Sequence, residues 1–274
     1  MSATESWRGK TIVITGASSG IGEEAAKQLA AKGAIVCLVA RREEELARVA
    51  GEIEEAGGIA HAYSANLAES ESIDALIGLL LKDHPRIDVL VNNAGRSIRR
   101  PLLESLDRPH DFERTMQLNY LAVVRLTLGL LPPMLAAGKG HIINVSSVAA
   151  LMTTPRFAAY LASKSAVDAF SRSLRIELAE KGIAVTSINY PLVKTAMTAP
   201  TAIYKYLPQM EVADAAGWIV EAIATRPVRR TIRIALAFHI ATAILPGPTL
   251  KTLASFYANR AAKLRKKLEQ QAAK

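Results

Sequence analysis

The chain of 274 residues is half hydrophobic and 22% charged, with 34 Lys and Arg against 25 Asp and Glu, and that length is enough to bury one substantial core. Eleven of the basic residues and a single acid, Glu269, lie from Arg226 onward, so this segment carries +10 and the rest of the chain about −1; a near-neutral body excludes a uniformly basic nucleic-acid binder. One cysteine, Cys37, excludes an internal disulfide, and the five histidines lack metal-ligand spacing, so no metal is assigned.

The opening MSATESWRGK has no apolar stretch, and a cytoplasmic location is expected. TIVIT at 11 to 15 reads as a first strand; TGASSGIG, Thr15 to Gly22, follows it directly and leads into the helical pattern EEAAKQLAAKG. In that context Gly16, Gly20 and Gly22 allow a tight turn and close backbone approach, while the helix N-terminus offers N–H groups to a pyrophosphate. Cofactor contacts are therefore expected at Gly16, Ser18, Ser19, Gly20, Ile21 and Gly22. The second strand, IVCLV at 35 to 39, ends in Ala40-Arg41-Arg42. No acid stands there for a ribose 2′-hydroxyl, and two arginines opening a helix oppose its dipole unless an anion binds, so Arg41 and Arg42 point to the 2′-phosphate of NADP(H).

The third strand, IAHAY at 59 to 63, precedes Asn66-Leu67, where Asn66 either hydrogen-bonds an adenine or caps the next helix with Glu69. IDVLV at 87 to 91 is followed by Asn92-Asn93-Ala94-Gly95, and Asn119 sits among apolar neighbours in the helical pattern ERTMQLNYLAVVRL. HIINV at 141 to 145 runs into Ser146 and Ser147; a helical stretch then carries Tyr160 and Lys164, which at i and i+4 share one face. A phenol titrates near ~10, and a neighbouring ammonium and a positive nicotinamide ring both favour its anion, so the spacing suits proton transfer at neutral pH. IAVTSI at 183 to 188 is the sixth strand, with Asn189-Tyr190-Pro191-Leu192-Val193-Lys194-Thr195 after it. An apolar stretch from Ile234 to Leu245, bounded by Pro246, is too short for the ~20 residues of a membrane-crossing helix. Residues 251 to 274 read as a basic helix with Lys263, Arg265, Lys266 and Lys267 close together.

Short apolar strands alternating with helices predict an α/β fold: a single doubly wound, Rossmann-type parallel sheet with helices on both faces, over residues 1–233. Residues 234–274 form a C-terminal apolar and basic extension. That extension is expected either to make peripheral contact with an anionic membrane surface or to pack on protein.

The glycine spacing resembles the T-G-x-x-x-G-x-G of the short-chain dehydrogenases/reductases, and Ser147 with Tyr160 and Lys164 resembles that family's S-(x12)-Y-x-x-x-K. The resemblance implies that a hydride from NADPH reaches a carbonyl carbon while Tyr160 protonates the oxygen held by Ser147. It further implies that Lys164 binds the nicotinamide ribose and tunes the tyrosine, with Asn119 holding a water that connects Lys164 to solvent. By the same resemblance Leu67 lies beside the adenine, Asn93, Ala94 and Gly95 approach the cofactor, and Pro191, Val193 and Thr195 border the carboxamide. Two departures stand out: Tyr190-Pro191 replaces Pro-Gly, and the family's C-terminal strand with its D-G-G is missing, replaced by Arg226 to Ile234.

Asn92 to Arg100, Asp111 to Met116, Pro155 to Tyr160 and Pro191 to Thr195 look like the bacterial fatty acyl-CoA reductases, a likeness covering roughly residues 90 to 200. It implies a lipophilic carbonyl substrate, namely a long acyl-CoA thioester reduced to an aldehyde, with Arg96, Arg99 and Arg100 meeting CoA phosphates or steadying a surface loop. A reductase of steroid, retinoid or aromatic ketones uses the same residues, and a non-catalytic dinucleotide-binding scaffold on the same fold is the alternative of another class. Members of the family associate as homodimers or homotetramers, and the apolar faces around 117 to 131 and 157 to 178 are compatible with that.

Overall fold

The computed structural model describes residues 7–272; side chains at 202, 205 and from 260 onward lie outside the described residues, among them the basic group Lys263, Arg265, Lys266 and Lys267. The chain divides into two compact units, Met1–Ile232 and Arg233–Lys274.

The first unit begins β1 (Thr11–Thr15), α1 (Gly20–Ala30), β2 (Ile35–Ala40), α2 (Glu43–Glu55), β3 (Ile59–Ser64), α3 (Ser70–Asp83) and β4 (Val89–Asn92). It continues through α4 (Pro109–Met116), a π-helical turn (Gln117–Leu121), α5 (Ala122–Ala136), β5 (Gly140–Ser147), α6 (Ala158–Glu177), β6 (Ile183–Tyr190), α7 (Val212–Thr225) and β7 (Arg229–Arg230). The strands form one sheet in the order β3-β2-β1-β4-β5-β6-β7, and every pairing is parallel. Alternate residues of one strand feed opposite faces: Ile12 and Ile14 join Leu29, Leu46 and Ile219 in one core, whereas Val13 joins Ile73, Leu126 and Leu130 in the other. Burial on both faces explains why these strands read as continuous apolar runs. The order reverses between β1 and β4, and the crevice beyond their carboxyl ends is where an open parallel sheet takes a ligand.

The seventh strand corrects the expectation that the C-terminal strand is missing. Arg229 and Arg230 pair in parallel with Ser187 and Ile188 of β6. Two arginines carry no β-branched signal; side-chain contacts hold them, Arg230 pairing with Glu221 at 3.0 Å and lying over the Trp218 ring. The helical run Pro109–Ala136 is long and apolar enough to cross a membrane by length and composition, but Leu126 and Leu130 are almost completely buried in the second core.

The second unit consists of α8 (Arg233–Ile244) and α9 (Pro246–Ala272). The apolar α8 leaves Ile234, Leu236, Ile240 and Ile244 exposed; twelve residues at ~1.5 Å each fall short of a bilayer core.

Candidate active site

The turn after β1 is built on backbone freedom. Gly16 and Gly20 have φ of 68° and 59°, a region that favours glycine, and the N–H groups of Gly16 and Ala17 both donate to the Val39 carbonyl. Gly22 packs closer still: a Cβ there would lie 2.3 Å from the Gly16 carbonyl oxygen and 2.7 Å from Asn93 Nδ2. Gly22→Ala is therefore expected to cost about 1–3 kcal/mol of stability, as overpacking does, and to weaken dinucleotide binding. Thermal denaturation and a cofactor titration check this; an unchanged midpoint would show that the turn can yield.

The loop after β4 is stapled to this turn. The N–H groups of Asn93 and Ala94 both donate to Thr15 Oγ1 at 2.9 Å, and Asn93 Nδ2 donates to the Thr15 carbonyl, also at 2.9 Å. Asn92 Nδ2 donates to Asn144 Oδ1 at 2.8 Å and Asn144 Nδ2 to Ser171 Oγ at 2.8 Å, tying β4 through β5 to α6.

Together these loops frame a cleft of about 870 Å³. The predicted residues Gly16, Ser18, Ser19, Gly20, Ile21, Arg41, Arg42, Leu67, Asn93, Ala94 and Gly95 line it, as do Ser147, Tyr160, Lys164, Pro191, Val193 and Thr195. Arg41 and Arg42 are exposed at the start of α2, with Arg42 donating to Ser18 Oγ at 3.3 Å.

Three predicted residues are placed elsewhere. Gly22 supports the turn from behind. Asn66 braces its own turn: Nδ2 donates to Glu69 Oε1 and Oδ1 accepts from the Ala68 N–H, so its amide serves the approach to α3. Asn119 is fully buried on the π-helical turn. Its Nδ2 donates to the Arg96 carbonyl and to Ser163 Oγ, both at 2.9 Å, and its Oδ1 accepts from the Arg96 N–H at 2.8 Å. Ser163 Oγ in turn donates to the Tyr160 carbonyl. Both amide hydrogens of Asn119 thus brace the loop after Gly95 against α6.

On α6, Lys164 is buried and its Nζ donates to the Val145 carbonyl at 2.7 Å; burial brings its pKa down to about 8. Burial pushes the Tyr160 phenol up, a hydrogen bond with Ser147 pulls it down, and the Tyr204 phenol raises it further. Ser146 faces the helix, donating to the Lys164 carbonyl, so Ser147 is the serine that meets the phenol.

Behind Ser147 lies a network that the sequence reading missed. Asn189 Nδ2 donates to the Ser147 carbonyl at 3.1 Å, and Arg229 donates to Asn189 Oδ1 at 2.7 Å. Arg229 also forms an ion pair at 2.7 Å with Asp168, whose side chain is 7% exposed. Asp168 follows Lys164 by four residues on the same face of α6; a lone acid at that spacing was the available signal. The Tyr190-Pro191 departure also resolves: Tyr190 is buried, donates to the Ala215 carbonyl at 2.5 Å and stacks on Trp218, leaving Pro191 on the cleft wall.

The arginines after Gly95 separate into two sets. Arg96 and Arg99 line the cleft, whereas Arg100 pairs with the buried carboxylate of Asp111.

A family model described as short chain dehydrogenase matches residues 10–203. The chain is 50% identical over 242 residues to a fatty acyl-CoA reductase of Acinetobacter baylyi, covering 88% of this chain and 82% of that one. It is 49% identical over 239 residues to the fatty acyl-CoA reductase Rv0547c of Mycobacterium tuberculosis, covering 87% and 81%. Among solved structures, a metagenomic short-chain oxidoreductase in complex with NADP superposes with a TM-score of 0.70 at 33% identity, covering 83% of this chain and all of the other.

Proposed function

The chain belongs to the short-chain dehydrogenase/reductase family, and from that premise we propose that it is an NADPH-dependent reductase of fatty acyl-CoA thioesters, forming the aldehyde and free CoA. The observation that carries this reading is the convergence of the Tyr160 and Ser147 hydroxyls in one cleft bordered by Arg41 and Arg42 and by Arg96 and Arg99. Relatives half identical to this chain bear the same activity in their names.

The residues suit NADPH. A Cβ at Gly16 would meet Ala94 Cα at 3.0 Å, so the turn leaves room only for bare backbone beside the cleft, and Arg41 and Arg42 supply cations where NAD-specific sites carry an acid. When bound, NADPH supplies the hydride. Ser147 holds the thioester oxygen, and Tyr160, kept protonated by burial, gives it a proton. The resulting hemithioacetal collapses to aldehyde as the C–S bond breaks and the thiol takes the proton released from the hydroxyl. Lys164 lines the same cleft, and in this reading its ammonium turns from the Val145 carbonyl to hold ribose hydroxyls.

The deciding experiment is product analysis with NADPH across acyl-CoAs and ketones. Aldehyde and free CoA support the reading; alcohol formed from a ketone, with acyl-CoAs untouched, overturns it in favour of a ketone reductase. Substituting both Arg41 and Arg42 by alanine is expected to lower the preference for NADPH over NADH by about 10–100-fold, the worth of one or two charge-assisted bonds. Equal kcat/KM ratios before and after would remove the 2′-phosphate role.

A lipophilic substrate also gives a reason for the exposed apolar side chains. Leu102, Leu103 and Leu106 stand exposed in the loop after Arg99, and α8 exposes Ile234 and Ile244; both surfaces suit peripheral contact of a cytoplasmic enzyme with a membrane. Leu121, Leu128 and Leu135 repeat every seven residues along the helix and are each 40–56% exposed, a stripe suited to pairing with a second copy.

A further inference from the structure

Asp111 opens α4 with an unusual company. Its side chain is 2% exposed, and three guanidinium groups converge on it: Arg100 Nε at 3.2 Å, Arg108 Nε at 3.1 Å, and Arg114 through a terminal nitrogen. The imidazole of His110 lies 3.5 Å away. One carboxylate cannot neutralise three guanidinium charges, so the three arginines with Asp111 keep a net +2. The crowding reaches the cleft: Arg96, which lines it, has its pKa lowered by burial and then by the charges of Arg114 and Arg41, with Asp111 the compensating partner. A bound anion would relieve this repulsion.

The geometry leaves the means to bind that anion. Arg108 Nε donates to Asp111 Oδ2 at 3.1 Å, leaving its terminal nitrogens as a planar fork, the arrangement that grips a phosphate bidentately; Arg100 Nε lies 3.2 Å from the same oxygen without a hydrogen bond to it. These arginines are one-third exposed, near enough to water to admit a ligand and fixed by the buried acid at their base. A rigid rim joins the group to the cleft: the Arg100 N–H donates to the Arg156 carbonyl at 2.7 Å, Arg156 is held at φ 72°, a strained setting for a residue with a Cβ, and Phe157 beside it lines the cleft. Arg99, the residue before Arg100, lines the cleft as well and has no ion pair among the described residues.

We propose that Arg99, Arg100, Arg108 and Arg114, organised on Asp111, form a subsite for the phosphate esters of the substrate's adenosine diphosphate moiety. This rests on the acyl-CoA reading for the identity of the ligand. Asp111 is a positioning residue here: it is too buried to touch the ligand and serves to aim the forks. Arg41 and Arg42 belong to the start of α2 and Arg99, Arg100, Arg108 and Arg114 to the segment around Asp111, so the two phosphorylated adenosines are assigned to different groups of arginines.

The test uses the full chain saturated with NADP+, so that the cofactor's own phosphates are already accommodated. Titration with 3′-phosphoadenosine 5′-phosphate is expected to show saturable binding that weakens about tenfold in Arg99→Ala and in Arg108→Lys, the loss of one bidentate contact, with NADP+ affinity unchanged in Arg108→Lys. Arg108→Lys keeps the charge opposite Asp111 and so protects the fold. In kinetics, Arg108→Lys should lose about tenfold in kcat/KM toward an acyl-CoA and nothing toward the same acyl group on pantetheine, which has no phosphates. The proposal is overturned if the wild-type chain does not bind the bisphosphate, if both variants bind it as well as wild type, or if phosphatidylglycerol vesicles bind in a manner sensitive to Arg99 and Arg108 while the bisphosphate does not. Failure of every thioester to turn over would instead sink the acyl-CoA reading, with the bisphosphate titration still deciding the subsite.

Discussion

Tyr160→Phe is expected to lower turnover by about a thousandfold, within the range that a positioned general acid contributes, while NADPH still binds. The phenol is the one acidic proton that the structure sets against Ser147. Lys164 cannot substitute for it, because its Nζ is turned to the Val145 carbonyl in the floor of the cleft. The direction of the tyrosine's pKa favours reduction: burial holds the phenol above its ordinary value, so it enters the reaction protonated at neutral pH. NADPH oxidation followed at saturating substrate, with cofactor affinity measured by fluorescence, separates the two effects. Retained turnover would remove Tyr160 from the chemistry. Lys164 adds a pH signature of its own. Its pKa falls from 10.5 in the open chain to about 8 when buried, so the unfolded state holds this proton more tightly and the residue's contribution to stability rises between pH 8 and 10.5.

Arg229→Met is expected to destabilise the fold by about 3 kcal/mol, the usual cost of leaving a buried charge without its partner. For a unit of this size that lowers the melting midpoint by roughly 6–12 °C. Asp168 would keep only Arg172, at 3.6 Å on a side chain that is 60% exposed. Arg229 also holds Asn189, which holds the Ser147 carbonyl, so kcat should fall with little change in NADPH affinity. Adding Asp168→Asn removes the orphaned charge and should restore much of the midpoint without restoring kcat. A midpoint within a degree of wild type in Arg229→Met alone would mean that the ion pair contributes nothing.

The sheet and the cofactor turn were legible because each depends on local pattern. β-branched runs mark strands buried on both faces, and Gly16, Gly20 and Gly22 stand where a chain must turn without a Cβ. Tyr160 and Lys164 were legible because one helical turn separates them. The parts that escaped depend on pairs far apart in sequence. Nothing near Arg229 announces Asp168, sixty-one residues earlier, and β7 is recruited by those contacts rather than by its own propensity. Asn119 was found by resemblance, but its work in bracing Arg96 and Ser163 could not be read from a helical pattern. The adjacent arginines Arg99 and Arg100 looked equivalent until Asp111 distinguished them.

The π-helical turn at Gln117–Leu121 bears on how this protein can change over time. A wide turn accommodates one residue more than its neighbours, which lets the amide at 119 look toward one partner while the leucines seven and eleven positions later look toward another. Shortening that stretch by a single residue would regularise the spiral yet swing one half about 100° against the other, unseating either the brace or the core. Apart from Asn119, whose amide is committed to Arg96 and Ser163, the segment tolerates a change of side chain more readily than a change of length.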